Sequence, residues 1–354
     1  MTAKIRPDHS DADFVAMLPK VELHVHVEGT IEPETLFNIA DRNSIELPYD
    51  TPQGMLSYQT ENKSEGTENL ANFLECLDIS RSALRTASDY HAITVNFLRR
   101  CRDEGVRYVE MMFDPQQAIR QGVPFSECLD ALAQGRNDGL RDHGVRSQWI
   151  LCFQRDHPAT EAAPLLDAAM AHSTEIAGVG LDNYETPGFP RLFQSAFDQA
   201  RIAGLRLTSH CDVNQSDSVQ HIKACIEHLG VERIDHGLNT VDDPALLELV
   251  LDREVALTGC PTFYAGQSAC LADRLEMHRS LADAGVCISL NTDDPAQFGS
   301  GWLTNTMLSA MQAAPFTRAE IVRFAQNAID TAWTDATHKR ELTVELDSFC
   351  NASD

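Results

Sequence analysis

Apolar, β-branched bursts of six to nine residues recur along the chain, separated by longer stretches whose apolar positions repeat with a helical period. The bursts are KVELHVHV (20–27), VRYVEMMF (106–113), VRSQWILCF (145–153), IAGVGLDN (176–183), LRLTSHC (205–211), RIDHGL (233–238), VALTGCP (255–261) and VCISLNTDD (286–294). Between most of them lie amphipathic segments such as EPETLFNIADRN, FPRLFQSAFDQARIAG, SVQHIKACIEHLG and ADRLEMHRSLADAG. Strand and helix in alternation predict parallel βαβ units. Eight such units predict an α/β fold closed into a (β/α)8 barrel, with an open doubly wound sheet as the alternative that periodicity alone leaves standing. Two segments depart from the rhythm. Residues 44–105 are too long for one crossover and read as a helical insertion, a lid within the barrel domain, and the chain from about Trp302 onward reads as further helices outside it. No internal repeat or interdomain linker divides residues 1–354, so a single domain is expected.

Composition narrows the function. A chain of 354 residues that is 43% hydrophobic can bury a large core. Its 53 acidic against 28 basic residues give a formal charge of -25, which repels phosphate backbones and anionic lipid surfaces, so no nucleic-acid or membrane partner is expected. The N-terminus lacks an apolar signal core, and the ten cysteines form no C-x-x-C pair, which fits reduced thiols in a cytoplasmic protein. A small-molecule substrate is the expected partner, with homo-oligomerisation left open.

The polar residues at the strand ends carry the chemistry. His24 and His26 are two apart on a strand, so both rings share one face, and in a barrel one of the two faces is the interior. His210 closes the fifth burst, His236 lies on the sixth, and Asp293 and Asp294 end the eighth. Each alone is more often a core histidine or a turn aspartate. Together they fall at the C-terminal ends of different strands, where barrels build their active sites. Three histidines with one carboxylate suit Zn2+ with one open position for water, and iron would accept the same donors.

The segments LPKVELHVHVEGTIEPETL, VERIDHGLNTVDDPAL, the Cys-Pro pair at 260–261 and SLNTDDPAQF resemble the adenosine/adenine deaminase family of the amidohydrolase superfamily, from about Leu18 to Trp302. The resemblance implies a barrel with one Zn2+ per chain held by His24, His26, His210 and Asp293. It implies that His236 orients a metal-activated hydroxide and moves protons, that Asp294 hydrogen-bonds the substrate ring, and that the reaction is hydrolytic deamination at C6 of a purine. VEGT and GVGLDNYE look closer to the branch acting on free adenine, because the nucleoside branch carries an aspartate where Glu28 stands. Independently of the family, zinc lowers the pKa of its water to about 7, and imidazole titrates in the working range, which suits His236 as shuttle. Attack on an amidine-like carbon further needs an acid for the adjacent ring nitrogen.

That acid is where the sequence departs. The family pattern H-A-G-E reads His210-Cys211-Asp212-Val213, with valine at the position of the expected glutamate, and the spacing from His210 to His236 is about two residues longer than usual. Asp212, Asp217 or Glu185 are the carboxylates that can take over, and Asp212 is preferred because it lies closest to the ligand. The pattern CP-x-S-N likewise reads CPTFYAG, which puts Phe263 and Tyr264 where small polar residues are usual and makes Phe263 a substrate contact. Glu185 is expected near the substrate, Glu28 either there or capping the helix that begins near Glu32, and Arg155 as a specificity residue or a loop ion pair. Phe73, Leu74 and Leu77 recur at helical spacing as an apolar face. Three readings follow: a purine or purine-like aminohydrolase with a relocated acid, a hydrolase of another C–N or C–X bond such as an amide or a substituted heteroaromatic ring, and a non-catalytic metal-binding relative.

Overall fold

The computed structural model describes residues 10–61, 67–172, 176–261, 268–298 and 301–353. Strands β1 (Lys20–His26), β2 (Val106–Phe113), β3 (Arg146–Gln154), β4 (Ile176–Asp182) and β5 (Arg206–Leu207) pair in parallel in that order. Strands β6 (His210–Cys211), β7 (Arg233–His236), β8 (Ala256–Gly259) and β9 (Ile288–Leu290) do the same. Single bonds join the two runs. Thr208 N–H donates to Val179 O (3.0 Å) and Asp235 N–H to Ser209 O (2.9 Å), so β5 and β6 are halves of one stave. At the other seam His26 N–H donates to Asp293 O (2.9 Å) and Asp293 N–H to His24 O (3.2 Å), which returns the chain beyond β9 to β1. The result is the closed (β/α)8 barrel, and it removes the open-sheet alternative. The strands are shorter than the expected runs at several ends, most of all β9, and the fifth is divided at Thr208–Ser209, where the Thr208 hydroxyl donates to the Asp235 carboxylate (2.8 Å).

Closure explains the burial of β1. Every residue from Lys20 to His26 is buried, because Val21, Leu23 and Val25 face the outer helices while Lys20, Glu22, His24 and His26 face the lumen.

Helices α1 (Asp11–Met17), α2 (Pro33–Asn43), α3 (Pro52–Glu61), α4 (Thr67–Ser82) and α5 (Ala87–Asp103) precede β2. Around the remaining staves run α6 (Pro115–Arg120), α7 (Phe125–His143), α8 (Ala162–His172), α9 (Phe189–Leu192), α10 (Gln194–Ile202), α11 (Ser218–Ala224), α12 (Pro244–Asp252) and α13 (Ser268–Asp283). The chain ends in α14 (Leu303–Ala313), α15 (Arg318–Thr331) and α16 (Ala336–Ser353), with α15 against β9 and β1 on the outside of the barrel. Of the long segment between β1 and β2, α5 packs on α7 as the crossover helix. By contrast, α4 touches the turn Val27–Thr30 and α3 the turn Pro295–Phe298, both at the C-terminal ends of staves. Leu70, Leu74 and Leu77 of α4 form a small cluster apart from the main core, with Phe73 stacked on Phe298 at 5.2 Å. No helix among the described residues is long and apolar enough to cross a membrane.

At the opposite, N-terminal end the Lys20 ammonium is buried without a carboxylate partner, donating to Leu18 O (3.0 Å) and Glu104 O (2.9 Å). Burial pulls its pKa down to about 7. A lysine whose pKa is lower folded than unfolded adds stability above pH 10 that is lost as pH falls through 7. We therefore expect Lys20→Met to gain on the wild type between pH 10 and pH 6, by on the order of 3 kcal/mol, read as the difference in urea midpoints. Parallel pH profiles for the two proteins would show that the ammonium is solvated after all.

Candidate active site and metal centre

The alternation of β1 sets His24 and His26 side by side, and barrel closure brings His210 and Asp293 to them from β6 and the end of β9. His24 Nε2 lies 3.2 Å and His26 Nε2 3.4 Å from Asp293 Oδ1, and His26 Nε2 lies 3.0 Å from His210 Nε2. One donor atom from each of the four residues falls within 4.8 Å of all the others. Donors about 3.3 Å apart are the edges of a tetrahedron with bonds of about 2.0–2.1 Å, the zinc–nitrogen and zinc–oxygen distance.

The surroundings fix the tautomers. His24 Nδ1 faces Thr258 O (3.2 Å) and Oγ1 (3.1 Å), and His210 Nδ1 donates to Leu181 O (2.9 Å). With a proton on each Nδ1, each Nε2 keeps its lone pair aimed at the centre. Among the described residues the buried His24 Nε2 has only the Asp293 carboxylate beside it at 3.2 Å, and the Nε2 atoms of His26 and His210 face one another at 3.0 Å. A cation between them satisfies both, so the donor set fits a divalent metal.

Charge in the site follows from this crowding. Burial alone would depress His24, yet Asp293 beside it lifts the imidazole to about 9. Burial holds His26 and His236 down at about 4, so His236 stands neutral, able to act as a base, and does not titrate in the working range expected of it from the sequence. The Asp293 carboxyl, which burial alone would raise, is kept below the usual carboxylate range by the facing His24, His236 and His26. Asp294 goes the other way: burial and the adjacent Asp293 push it well above that range, so it stays protonated, and its Oδ1 has no partner among the described residues. Gly29 leaves room for it. A Cβ on Gly29 would collide with the Asp294 carboxyl, so close approach requires this glycine, and its φ is not positive.

Three residues at stave ends adopt left-handed backbone: Asn183 (φ 67°), His236 (φ 62°) and Asp293 (φ 64°). Such conformations cost roughly 1–2 kcal/mol each for residues with a Cβ. They turn the chain at the ends of β4, β7 and β9, where all three residues line one pocket. His24 lies below that lining, fully buried, and His26, Arg81, Asp182, Asn183, His210, Asp212, His236, Asp293 and Asp294 form the polar wall. Leu70, Phe73, Leu74 and Leu77 of α4 form the apolar one. The enclosed space is about 30 Å³, enough for a water or two.

The other sequence candidates divide. Asp212 lines the pocket with Oδ1 3.5 Å from His236 Nε2, and burial raises its carboxyl to about 7. Val213 is buried in the main core. Glu185 is not part of the lining: it accepts Asp212 N–H (2.7 Å) and pairs with His221 Nδ1 (2.6 Å) behind the wall. Asp217 is exposed at the start of α11 and does not reach the pocket. Glu28 neither lines the pocket nor caps α2; its Oε1 accepts Asp114 N–H (3.3 Å), because the turn after β1 directs it toward the end of β2. Phe263 and Tyr264 lie outside the described residues.

Sequence reading missed Arg81 and Asp114 and gave Asp182 no task. Arg81 Nη2 donates to Asp114 Oδ2 (2.6 Å), and Asp182 Oδ2 lies 3.6 Å from His26 Nδ1. Asp114 and Asp182 stand at the ends of β2 and β4, a positional signal available in the sequence; Arg81 sits on α4 and had none.

Fold and site together define a metal-dependent barrel hydrolase. The family model described as adenosine deaminase matches residues 19–349. An uncharacterized deaminase of Schizosaccharomyces pombe is 34% identical over 341 residues, 96% of this chain and 98% of its own. The crystal structure of an adenine deaminase from Arthrobacter aurescens superposes with a TM-score of 0.87 at 31% identity, covering 94% of this chain and 99% of that one. An amidohydrolase from Burkholderia ambifaria, solved with bound Zn, gives a TM-score of 0.85 at 27% identity over 97% and 94% of the two chains. The chain belongs to the adenosine deaminase family of the amidohydrolase superfamily, and is a deaminase-like hydrolase acting on C–N bonds.

Asp293→Ala is expected to abolish binding of a divalent metal, so that added Zn2+ raises the melting temperature of the wild type and leaves the variant unmoved. A variant that still binds metal and turns over would overturn the ligand assignment.

Proposed function

We propose that the protein is a zinc-dependent aminohydrolase that releases ammonia from a purine or purine-like free base, adenine first among them. The observation that carries this reading is the juxtaposition of a complete ligand set with His236, Asp294 and Asp212 on one pocket wall. The deaminases among its relatives support it, as does the zinc in the Burkholderia homologue. His24, His26, His210 and Asp293 would hold one Zn2+ per chain. When bound, zinc lowers the pKa of a coordinated water to about 7 and supplies a nucleophile at neutral pH.

The chain's own groups do the rest. His236 Nε2, 3.5 Å from Asp212 Oδ1 and 3.6 Å from Asp293 Oδ2, is placed to take the proton of the attacking water and return it to the leaving amine. Protonated Asp294 hydrogen-bonds a ring nitrogen. Asp212 carries the proton that the family's glutamate would deliver to the ring, which Val213 cannot. The apolar face of α4 covers a flat heterocycle and excludes water. Leu70, Phe73, Leu74 and Leu77 of α4 close one side of the pocket, so α3 and α4 would serve as a lid that opens for entry. With a substrate that small the enzyme acts on a free metabolite, and buried unpaired thiols among the described residues agree with a cytoplasmic setting.

A second reading, hydrolysis of another C–N or C–X bond in a substituted heteroaromatic ring, is favoured by Arg81. Asp114 holds its Nη2, but its buried Nε has no partner among the described residues, and unsubstituted adenine offers that N–H no oxo group.

The deciding assay is ammonia release by the zinc-loaded protein from free bases, nucleosides, pterins and triazines. Release from adenine above all others is expected. Turnover confined to an oxo-substituted ring would transfer the assignment to the second reading. Among variants, His236→Asn is expected to keep its zinc and lose about 10²–10⁴ in kcat. Asp212→Asn is expected to keep zinc and lose about 10²–10⁴ in kcat while leaving a measurable residual rate, and near wild-type rates would remove Asp212 from the mechanism.

A further inference from the structure

Arg155 follows β3 and is fully buried, yet it does not line the pocket. Its guanidinium reaches across two staves. Nε (3.0 Å) and Nη2 (2.6 Å) donate to Asn183 O at the end of β4, Nη1 donates to His210 O, and Nη2 also donates to Asp212 Oδ2. The side chain lies over the Phe189 ring at 4.9 Å, and Glu185 Oε1 stands 3.8 Å from Nη2. Backbone bonds anchor the arginine itself, its N–H donating to Asp182 O (3.1 Å) and its carbonyl accepting the Thr186 hydroxyl (3.3 Å).

Only one Asp212 oxygen is taken. Oδ2 is held by Arg155, and Oδ1 remains toward His236 at 3.5 Å and the pocket. Glu185 fixes the same residue from its backbone, accepting Asp212 N–H while its other oxygen pairs with His221. The loop that carries Val213 where the family pattern has glutamate thus has its neighbouring carboxylate, Asp212, locked from behind.

We infer that Arg155 is the positioning residue of this active site: by tying the His210 carbonyl and Asp212 Oδ2 to the end of the neighbouring stave, it presents Asp212 Oδ1 to His236 and substrate. The inference rests on the reading of Asp212 as proton carrier, and it extends that reading to a residue that never touches substrate. A planar, forked donor is needed, because one group must serve two carbonyls and a carboxylate at once.

The test is a double-mutant cycle on the zinc-loaded enzyme with adenine, or whichever base of the panel releases ammonia, with zinc content measured for every variant. Arg155→Met is expected to lower kcat at least 100-fold with KM changed less than about threefold and zinc retained. Arg155→Lys should recover part of that loss, because an ammonium keeps the charge without the fork. In an Asp212→Asn background Arg155→Met should cost nothing further. Losses that multiply would overturn the inference while leaving Asp212 its role, whereas a fully active Asp212→Asn would remove both. If the methionine variant does not fold, the lysine variant carries the test alone: about a tenfold lower kcat at constant KM supports the inference, and wild-type kcat overturns it. A crystal structure of Arg155→Lys gives an answer without any substrate. An Asp212 carboxylate turned away from His236 is expected, and one left in place counts against the arginine.

Discussion

The seam between Asp293 and β1 is the constraint on which the rest of the site depends. Two backbone bonds there, to Asp293 O from His26 and from Asp293 N to His24 O, close the barrel. The same bonds carry the Asp293 carboxylate to within 3.2 and 3.4 Å of the His24 and His26 rings. Closure and ligand assembly are one event. A slip of one residue at this seam would turn His24 and His26 outward among the helices and leave Asp293 without partners, since side chains alternate with a period of two. The left-handed backbone at Asp293 belongs to the same device, because it lets the chain pair with β1 through its main chain while the side chain bends inward.

A lumen built this way is polar where most cores are apolar, and its buried groups are satisfied in layers. Below the ligands, Thr258 and Thr208 donate to the two oxygens of Asp235 at 2.7 and 2.8 Å, and Thr292 binds Glu22 through both hydroxyl and backbone. These threonines have a second effect. Thr258 also faces His24 Nδ1, so the layer that satisfies Asp235 selects the tautomer that leaves His24 Nε2 open. Packing at the base of the site and chemistry at its top are therefore coupled through single hydroxyl groups.

Much of this was legible in the chain. The eight bursts mark the eight staves, and the spacing of His24 and His26 already places them on one face. The pairing of His210 with those rings rested on a recognised order of motifs, and the barrel gives it a physical basis. What was not legible comes from elements far apart in sequence. Arg81 reaches Asp114 from a helix in the insertion, and no periodicity on α4 marks one arginine among its polar positions. The task of Glu28 was equally hidden, because its partner is a backbone N–H at the end of β2. The fifth stave read as one strand, and the structure divides it into Arg206–Leu207 and His210–Cys211.

The loop after His210 shows how a pocket carboxylate can be held from outside its own loop. Val213 is buried in the main core and packs there, while Asp212 beside it lines the pocket. Behind the pocket wall Asp212 faces the Arg155 guanidinium and Glu185 faces the His221 ring. These pairs lie on the pocket's outer side, where an unpaired buried ion would be costly. The carboxylate one residue nearer the ligand is thus held by partners on two other staves, and a loop with new spacing keeps its geometry because the surrounding staves, not the loop itself, define where Asp212 points.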